Sequence, residues 1–174
     1  MADSPDSLNQ AEALQQAAAL AKKSGNLERA LATLDQAIAL SPQESRNHFL
    51  RGLTLEDLHR PDEAIASLQN AICVKPDYAE AYNNIGIILH DQKRFEQAAA
   101  NFRDAIHHKP DYSGAYNNLG TSLRALGDFA SAQQQFAQAV LLKPDYALAH
   151  YNQGITHLDM GQLNLAETSF SHVL

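Results

Sequence analysis

Lys109 to Leu142 reads KPDYSGAYNNLGTSLRALGDFASAQQQFAQAVLL, and the chain on either side says nearly the same thing again. Lys75 to His108 is KPDYAEAYNNIGIILHDQKRFEQAAANFRDAIHH, and Lys143 to Leu174 is KPDYALAHYNQGITHLDMGQLNLAETSFSHVL. Lys-Pro-Asp-Tyr therefore recurs every 34 residues, starting at Lys75, Lys109 and Lys143. One period further back, Ser41 to Val74 is a copy headed Ser-Pro-Gln-Glu, and Ser7 to Leu40 is a fainter copy still. A fixed period of this length marks a repeat array, in which each copy buries its apolar face only by stacking on its neighbours.

Within one copy the pattern predicts two amphipathic helices. Asp77 follows Pro76 and has Glu80 three residues later, the arrangement for an aspartate cap with a glutamate reaching back, so a helix should start near Tyr78. Tyr82, Ile85, Gly86 and Leu89 then share one face of a 3.6-residue period, up to a turn at Asp91 to Lys93. In the second helix Phe95, Ala98, Phe102, Ala105 and Ile106 form one apolar stripe that ends at Pro110.

Two glycine series sharpen this. Gly52, Gly86, Gly120 and Gly154 lie inside the first helix, where a glycine costs about 1 kcal/mol relative to alanine and so implies close approach of the partner helix. Gly25, Gly127 and Gly161 fall in the turn, where a left-handed backbone is often required, and the other two turns are expected near Arg60 and Lys93. The second helices repeat Ala30, Ala64, Ala98, Ala132 and Ala166, then Leu34, Leu68, Phe102, Phe136 and Phe170, then Ala37, Ala71, Ala105, Ala139 and Val173. Small positions opposite large ones suit helices packed about 8–10 Å apart.

Taken together, these residues resemble the tetratricopeptide repeat family. The unit length agrees, as do the aromatic-then-Leu-Gly opening (Tyr116, Leu119, Gly120), the mid-repeat alanine and aromatic, and the closing Pro42, Pro76, Pro110 and Pro144. The resemblance runs from about Ala11 to Leu174 and implies an all-α fold, a right-handed superhelical solenoid of five antiparallel helix pairs. It implies a single array over 1–174, with repeats at about 11–44, 45–78, 79–112, 113–146 and 147–174. In the fifth copy His150, Gln153 and His157 replace Tyr82, Ile85 and Leu89, which predicts a more polar core there. That copy reaches Leu174 without the polar closing helix usual in such arrays, so the chain reads as a fragment lacking its C-terminal cap, or as one whose open end (Phe170, Val173, Leu174) meets another copy.

Composition narrows the function. A net charge of −7 argues against a nucleic-acid partner, which needs a basic track. No apolar run approaches the ~18 residues of a membrane helix, and Met1 to Asn9 lacks the pattern of a signal peptide, so no membrane partner and a cytoplasmic location are expected. Cys73 is the only cysteine; set among Ala71, Ile72 and Val74, it reads as a buried, inert thiol. The sequence has no phosphate-cradling glycine loop, no His-Glu-x-x-His and no cysteine pair, so neither an enzyme nor a cofactor is expected. His107 with His108, and His150 with His157, are the candidate metal ligands among eight histidines. The first pair ends a helix, where histidine suits the dipole, and the second occupies packing positions, so no metal is expected.

The functional reading rests on the other face of the first helix. With Tyr82 at zero and 100° per residue, Glu80, Asn84, Ile87 and Asp91 cluster at about 140–200°. Equivalent sets are Arg46, Leu50, Leu53 and Asp57; Gly114, Asn118, Thr121 and Ala125; and Leu148, Asn152, Ile155 and Asp159. In the tetratricopeptide family this face lines the concave groove in which extended peptides bind. Leu50, Leu53, Ile87, Leu148 and Ile155 are apolar where a solvated face would be polar, the mark of a contact surface. Asn84, Asn118 and Asn152 form a row similar to the ladder in the tetratricopeptide arm of O-linked N-acetylglucosamine transferases, whose amides hold a ligand's main chain. One amide can donate to a peptide carbonyl and accept from a peptide N–H, and repeats about 9–10 Å apart match about three residues of extended chain.

The resemblance therefore implies a protein–protein interaction module that binds an extended peptide or protein segment, either of another protein or of a substrate for an enzyme domain outside this chain. Asn84, Asn118 and Asn152 would hold the main chain. Ile87, Ile155 and Leu53, with the acidic Glu80, Asp91 and Asp159, would choose side chains and favour Lys or Arg. Because the row lies off the packing stripe, its removal is expected to leave folding untouched. Two alternatives stand beside this reading: a self-assembling scaffold that uses the open C-terminal end, and a row that is a statistic of the repeat, with the adjacent Asn83 and Asn117 only capping or solvating. A carboxylate-clamp groove fits less well, since Gln15, Glu80 and Asn84 stand at its basic positions.

Overall fold

Before each of the last three helix pairs, Lys-Pro-Asp-Tyr closes a turn on itself. The amides of Tyr78, Tyr112 and Tyr146 donate to the carbonyls of Lys75, Lys109 and Lys143 at 3.1, 3.1 and 3.0 Å. Each lysine ammonium sits 4.9, 4.9 and 5.2 Å from the centroid of its own tyrosine ring, a cation–π contact that ties the tetrapeptide together. The helix that follows begins one residue later, at Ala79, Ser113 or Ala147. Asp77 thus lies one position ahead of the cap. In the sister helices Tyr112 and Tyr146 hold the N-cap position without a side-chain cap bond, so the lysine–tyrosine turn replaces the expected aspartate cap.

The computed structural model describes the backbone of residues 5–173, with side chains from residue 10 onward; Leu174, expected at the open end, lies outside the described residues. Ten helices and no strand occur among the described residues: α1 (Pro5–Lys23), α2 (Leu27–Leu40), α3 (Ser45–Asp57), α4 (Pro61–Val74), α5 (Ala79–Asp91), α6 (Phe95–His108), α7 (Ser113–Ala125), α8 (Phe129–Leu142), α9 (Ala147–Asp159) and α10 (Leu163–Ser171). They pair off as tandem helix hairpins, an all-α repeat fold. Two compact bodies result, Met1–Ala81 and Tyr82–Leu174. The first holds α1 to α4 with the opening residues of α5, and the second holds the rest of α5 with α6 to α10. No helix among the described residues is long and apolar enough to cross a membrane.

The hairpin joints share one geometry. Gly25, His59, Lys93, Gly127 and Gly161 all have positive φ, between 57° and 82°. The amide of each reaches back three residues and the next amide reaches back five, as in Gly25 to Lys22 with Asn26 to Ala21, and His59 to Glu56 with Arg60 to Leu55. These bonds satisfy carbonyls orphaned at the helix end. The second joint therefore falls at His59, one residue before Arg60, which serves as the N-cap of α4.

The helix-interior glycines are required by contact. A Cβ added to Gly86, Gly120 or Gly154 would stand 2.6, 2.7 or 2.5 Å from a ring carbon of Phe102, Phe136 or Phe170, and one on Gly52 would stand 2.7 Å from Leu68 Cγ. Carbon atoms in good contact sit about 3.5–4.0 Å apart, so only hydrogen fits. Around these contacts Ala30, Ala64, Ala98, Ala132 and Ala166 are fully buried, with Leu34, Leu68, Phe102 and Phe136.

Two packing expectations need correction. Val173 lies beyond the end of α10 and is exposed, as expected for the open end, so the buried series Ala37, Ala71, Ala105 and Ala139 is not continued in the fifth copy. Cys73 is exposed as well. It follows buried Ala71 by two residues, about 200° round the helix, so apolar neighbours in sequence are not its neighbours in space. In the fifth copy His150 is buried among packing residues, as the polar substitution predicts; its Nε2 donates to the Pro144 carbonyl at 2.9 Å and its ring stacks on His172.

Candidate functional site

In the second body the first helices of successive hairpins meet through their asparagines. Asn118 Nδ2 donates to Asn83 Oδ1 at 3.1 Å, Asn117 Nδ2 to Asn118 Oδ1 at 3.4 Å, and Asn152 Nδ2 to Asn117 Oδ1 at 2.9 Å. Asn83 and Asn117 are buried, whereas Asn84, Asn118 and Asn152 are half-buried. The doublets thus form a continuous amide chain from α5 through α7 to α9. Each primary amide has two N–H donors, so Asn118 and Asn152 each retain a second donor after bonding the neighbouring helix. Asn83 and Asn117, for which capping or solvation is the alternative reading from sequence, are the buried anchors of the row.

The same offset links charges on this face. Arg124 Nε lies 2.7 Å from Asp159 Oδ2, and in the first body Lys22 Nζ lies 2.5 Å from Asp57 Oδ2. Each pair is 35 residues apart, like Asn83 with Asn118 and Asn117 with Asn152. Opposite charges at that spacing are the sequence signal that would have found them. Asp159 is therefore engaged by a cation rather than simply presented to a ligand.

Ile87, His90, Asp91, Phe102, Asn118 and Thr121 enclose a pocket of about 170 Å³. Asn118, Ile87 and Asp91 are thereby brought together. Ile155 lies half-buried on α9, one turn from Asn152. Burial holds His90 below the usual imidazole range against the opposing pull of Asp91, and its Nδ1 lies 2.9 Å from Ser122 Oγ. At neutral pH His90 is thus uncharged and Asp91 sets the sign of the pocket. Leu53 and Glu80 belong to the first body, where Leu53 lines a smaller cavity of about 80 Å³ with Leu50, Lys22 and Leu34. Among the described residues no group of three His, Cys, Asp or Glu side chains is placed to hold a metal ion.

One model of the tetratricopeptide repeat matches residues 16–73 and 49–113, and a second matches 89–151. The chain belongs to the tetratricopeptide repeat family. Solved structures agree in fold. PilF of Pseudomonas aeruginosa superposes with a TM-score of 0.87 at 20% identity, covering 97% of this chain and 77% of that one. MamA (41-end) of Desulfovibrio magneticus RS-1 gives 0.86 at 18% identity, over 99% and 95%. YrrB gives 0.74 at 22% identity, over 92% and 82%. No curated protein matches the sequence.

Proposed function

We propose that this tetratricopeptide array is a protein–protein interaction module that holds an extended peptide segment along the face carrying Asn84, Asn118 and Asn152. The observation that carries the reading is the amide chain itself. Buried Asn83 and Asn117 fix the half-buried Asn118 and Asn152 one repeat apart, so their remaining donors would meet a ligand without the ordering loss a mobile side chain would incur. Apolar Ile87 and Ile155 flank the row, and half-buried apolar residues beside fixed polar groups are the composition of a recognition surface. Glu80 and Leu53 lie in the first body and are not part of this row. YrrB, described as a TPR protein with an unusual peptide-binding site, shows that the fold serves such a role elsewhere. Such a module could recruit another protein, or a substrate for an enzyme domain outside this chain.

The test leaves the amide chain intact and obstructs the face beside it. Ala125 and Leu148 are exposed on that face, so Ala125→Arg with Leu148→Arg should keep the melting temperature of the parent. The same variant should weaken binding to a random octapeptide library at least tenfold, read by fluorescence anisotropy. Undiminished binding would move the contact surface elsewhere.

A second reading has its own observation. Leu158, Leu163, Ala166, Phe170 and Val173 surround an open concavity of about 620 Å³, and Leu163 is 68% exposed. An apolar concavity of this kind suits self-association, which would appear as a mass that rises with concentration in sedimentation.

A further inference from the structure

Three first helices, α3, α5 and α9, end on aspartates: Asp57, Asp91 and Asp159. A carboxylate there faces the negative end of the helix dipole. Two of the three are compensated by a cation 35 residues earlier, Lys22 for Asp57 and Arg124 for Asp159. Thirty-five residues before Asp91 the sequence has Glu56, an acid. Asp91 thus carries the helix-end penalty without a base at the matching position, and it is the one of the three that lines the pocket on α5 and α7.

We propose that this pocket receives one lysine or arginine side chain of the bound peptide, with Asp91 meeting its charge. The inference rests on the groove reading above and narrows it to one position. Phe102 and Ile87 supply apolar surface, and exposed Asp91 supplies the charge. Long basic side chains bind in this way, burying the methylene stem while the charged head stays near water. Asn118, which belongs to the amide chain, also lines the pocket. The residue whose main chain it holds therefore has its side chain beside Asp91. His90 does not compete, being uncharged and turned to Ser122. The net charge of −7 adds a long-range pull on basic segments.

The test uses the full chain and four fluorescein-labelled octapeptides that differ only at one central residue: lysine, arginine, norleucine or glutamate. The parent should bind the lysine and arginine peptides about fivefold tighter than the norleucine peptide at low salt, with the advantage shrinking as salt is added. Asp91→Asn should erase that advantage, bringing the lysine and arginine peptides to the affinity of the norleucine peptide, with a melting temperature equal to or above that of the parent. Asp159→Asn should keep the preference, because Asp159 is held by Arg124. If the parent binds all four peptides alike, or Asp91→Asn retains the preference, the pocket assignment is wrong while the groove stands. If the parent binds none of them, the groove reading falls and takes this one with it.

Discussion

Phe136→Ala is expected to destabilise the chain by about 3–5 kcal/mol, through lost transfer energy and the cavity left behind. Phe136 is completely buried on α8, and its ring carbon lies 2.7 Å from where a Cβ on Gly120 would stand. That contact makes the two positions complementary. Gly120→Ala alone overpacks the same space and should cost about 1–3 kcal/mol. In the double variant the new methyl enters the volume the ring has vacated, so the combined loss should fall short of the sum, a coupling that a double-mutant cycle in urea measures directly. A repeat array carries its stability in each copy and its nearest neighbours. Hydrogen exchange should therefore show the loss concentrated in α7 and α8 and in the neighbouring pairs α5–α6 and α9–α10. Strictly additive losses, or a Phe136→Ala variant as stable as the parent, would mean that the ring does not pack on Gly120.

What the sequence made legible depended on period and size alone. Gly86 and Phe102 recur with the repeat, and a glycine in a helix has few explanations besides a neighbour in the way, so the hairpin core could be written down before any geometry. The turn glycines were legible for the same reason, and His59 and Lys93 hold the same left-handed conformation without the glycine that advertises it. Three features were hidden. Cys73 was judged by its sequence neighbours, although burial on a helix follows angle. Tyr112 and Tyr146 displaced aspartate from the cap because the preceding lysine folds over the ring. Neighbouring first helices meet at an offset of 35 residues, and a 34-residue period says nothing about that extra residue. The single step turns the contact by about 100° round the helix, and brings Asn83 and Asn117 inside.

The amide chain carries the second large effect. Asn117→Ala should destabilise the second body by about 1–3 kcal/mol, the range for leaving hydrogen-bonding groups without their partners. Asn117 is 2% exposed, donates to Asn118 and accepts from Asn152, so one substitution breaks two links. Asn152→Ala removes only the second link from a half-buried position and should cost less. Replacing both by leucine should recover part of the loss, because apolar groups in place of both partners leave neither amide unmet. The same bonds overturn the expectation that the row can be deleted without harm to the fold: alanine at Asn118 and Asn152 strands the buried Asn83 and Asn117. A change of 1 kcal/mol shifts the melting temperature of a chain this size by about 2–4 °C, so calorimetry resolves each variant. An Asn117→Ala protein that melts with the parent would show that the chain adds nothing to stability. A variant that melts early yet still binds peptide when folded would separate the anchoring role of Asn117 from the binding role of Asn118 and Asn152.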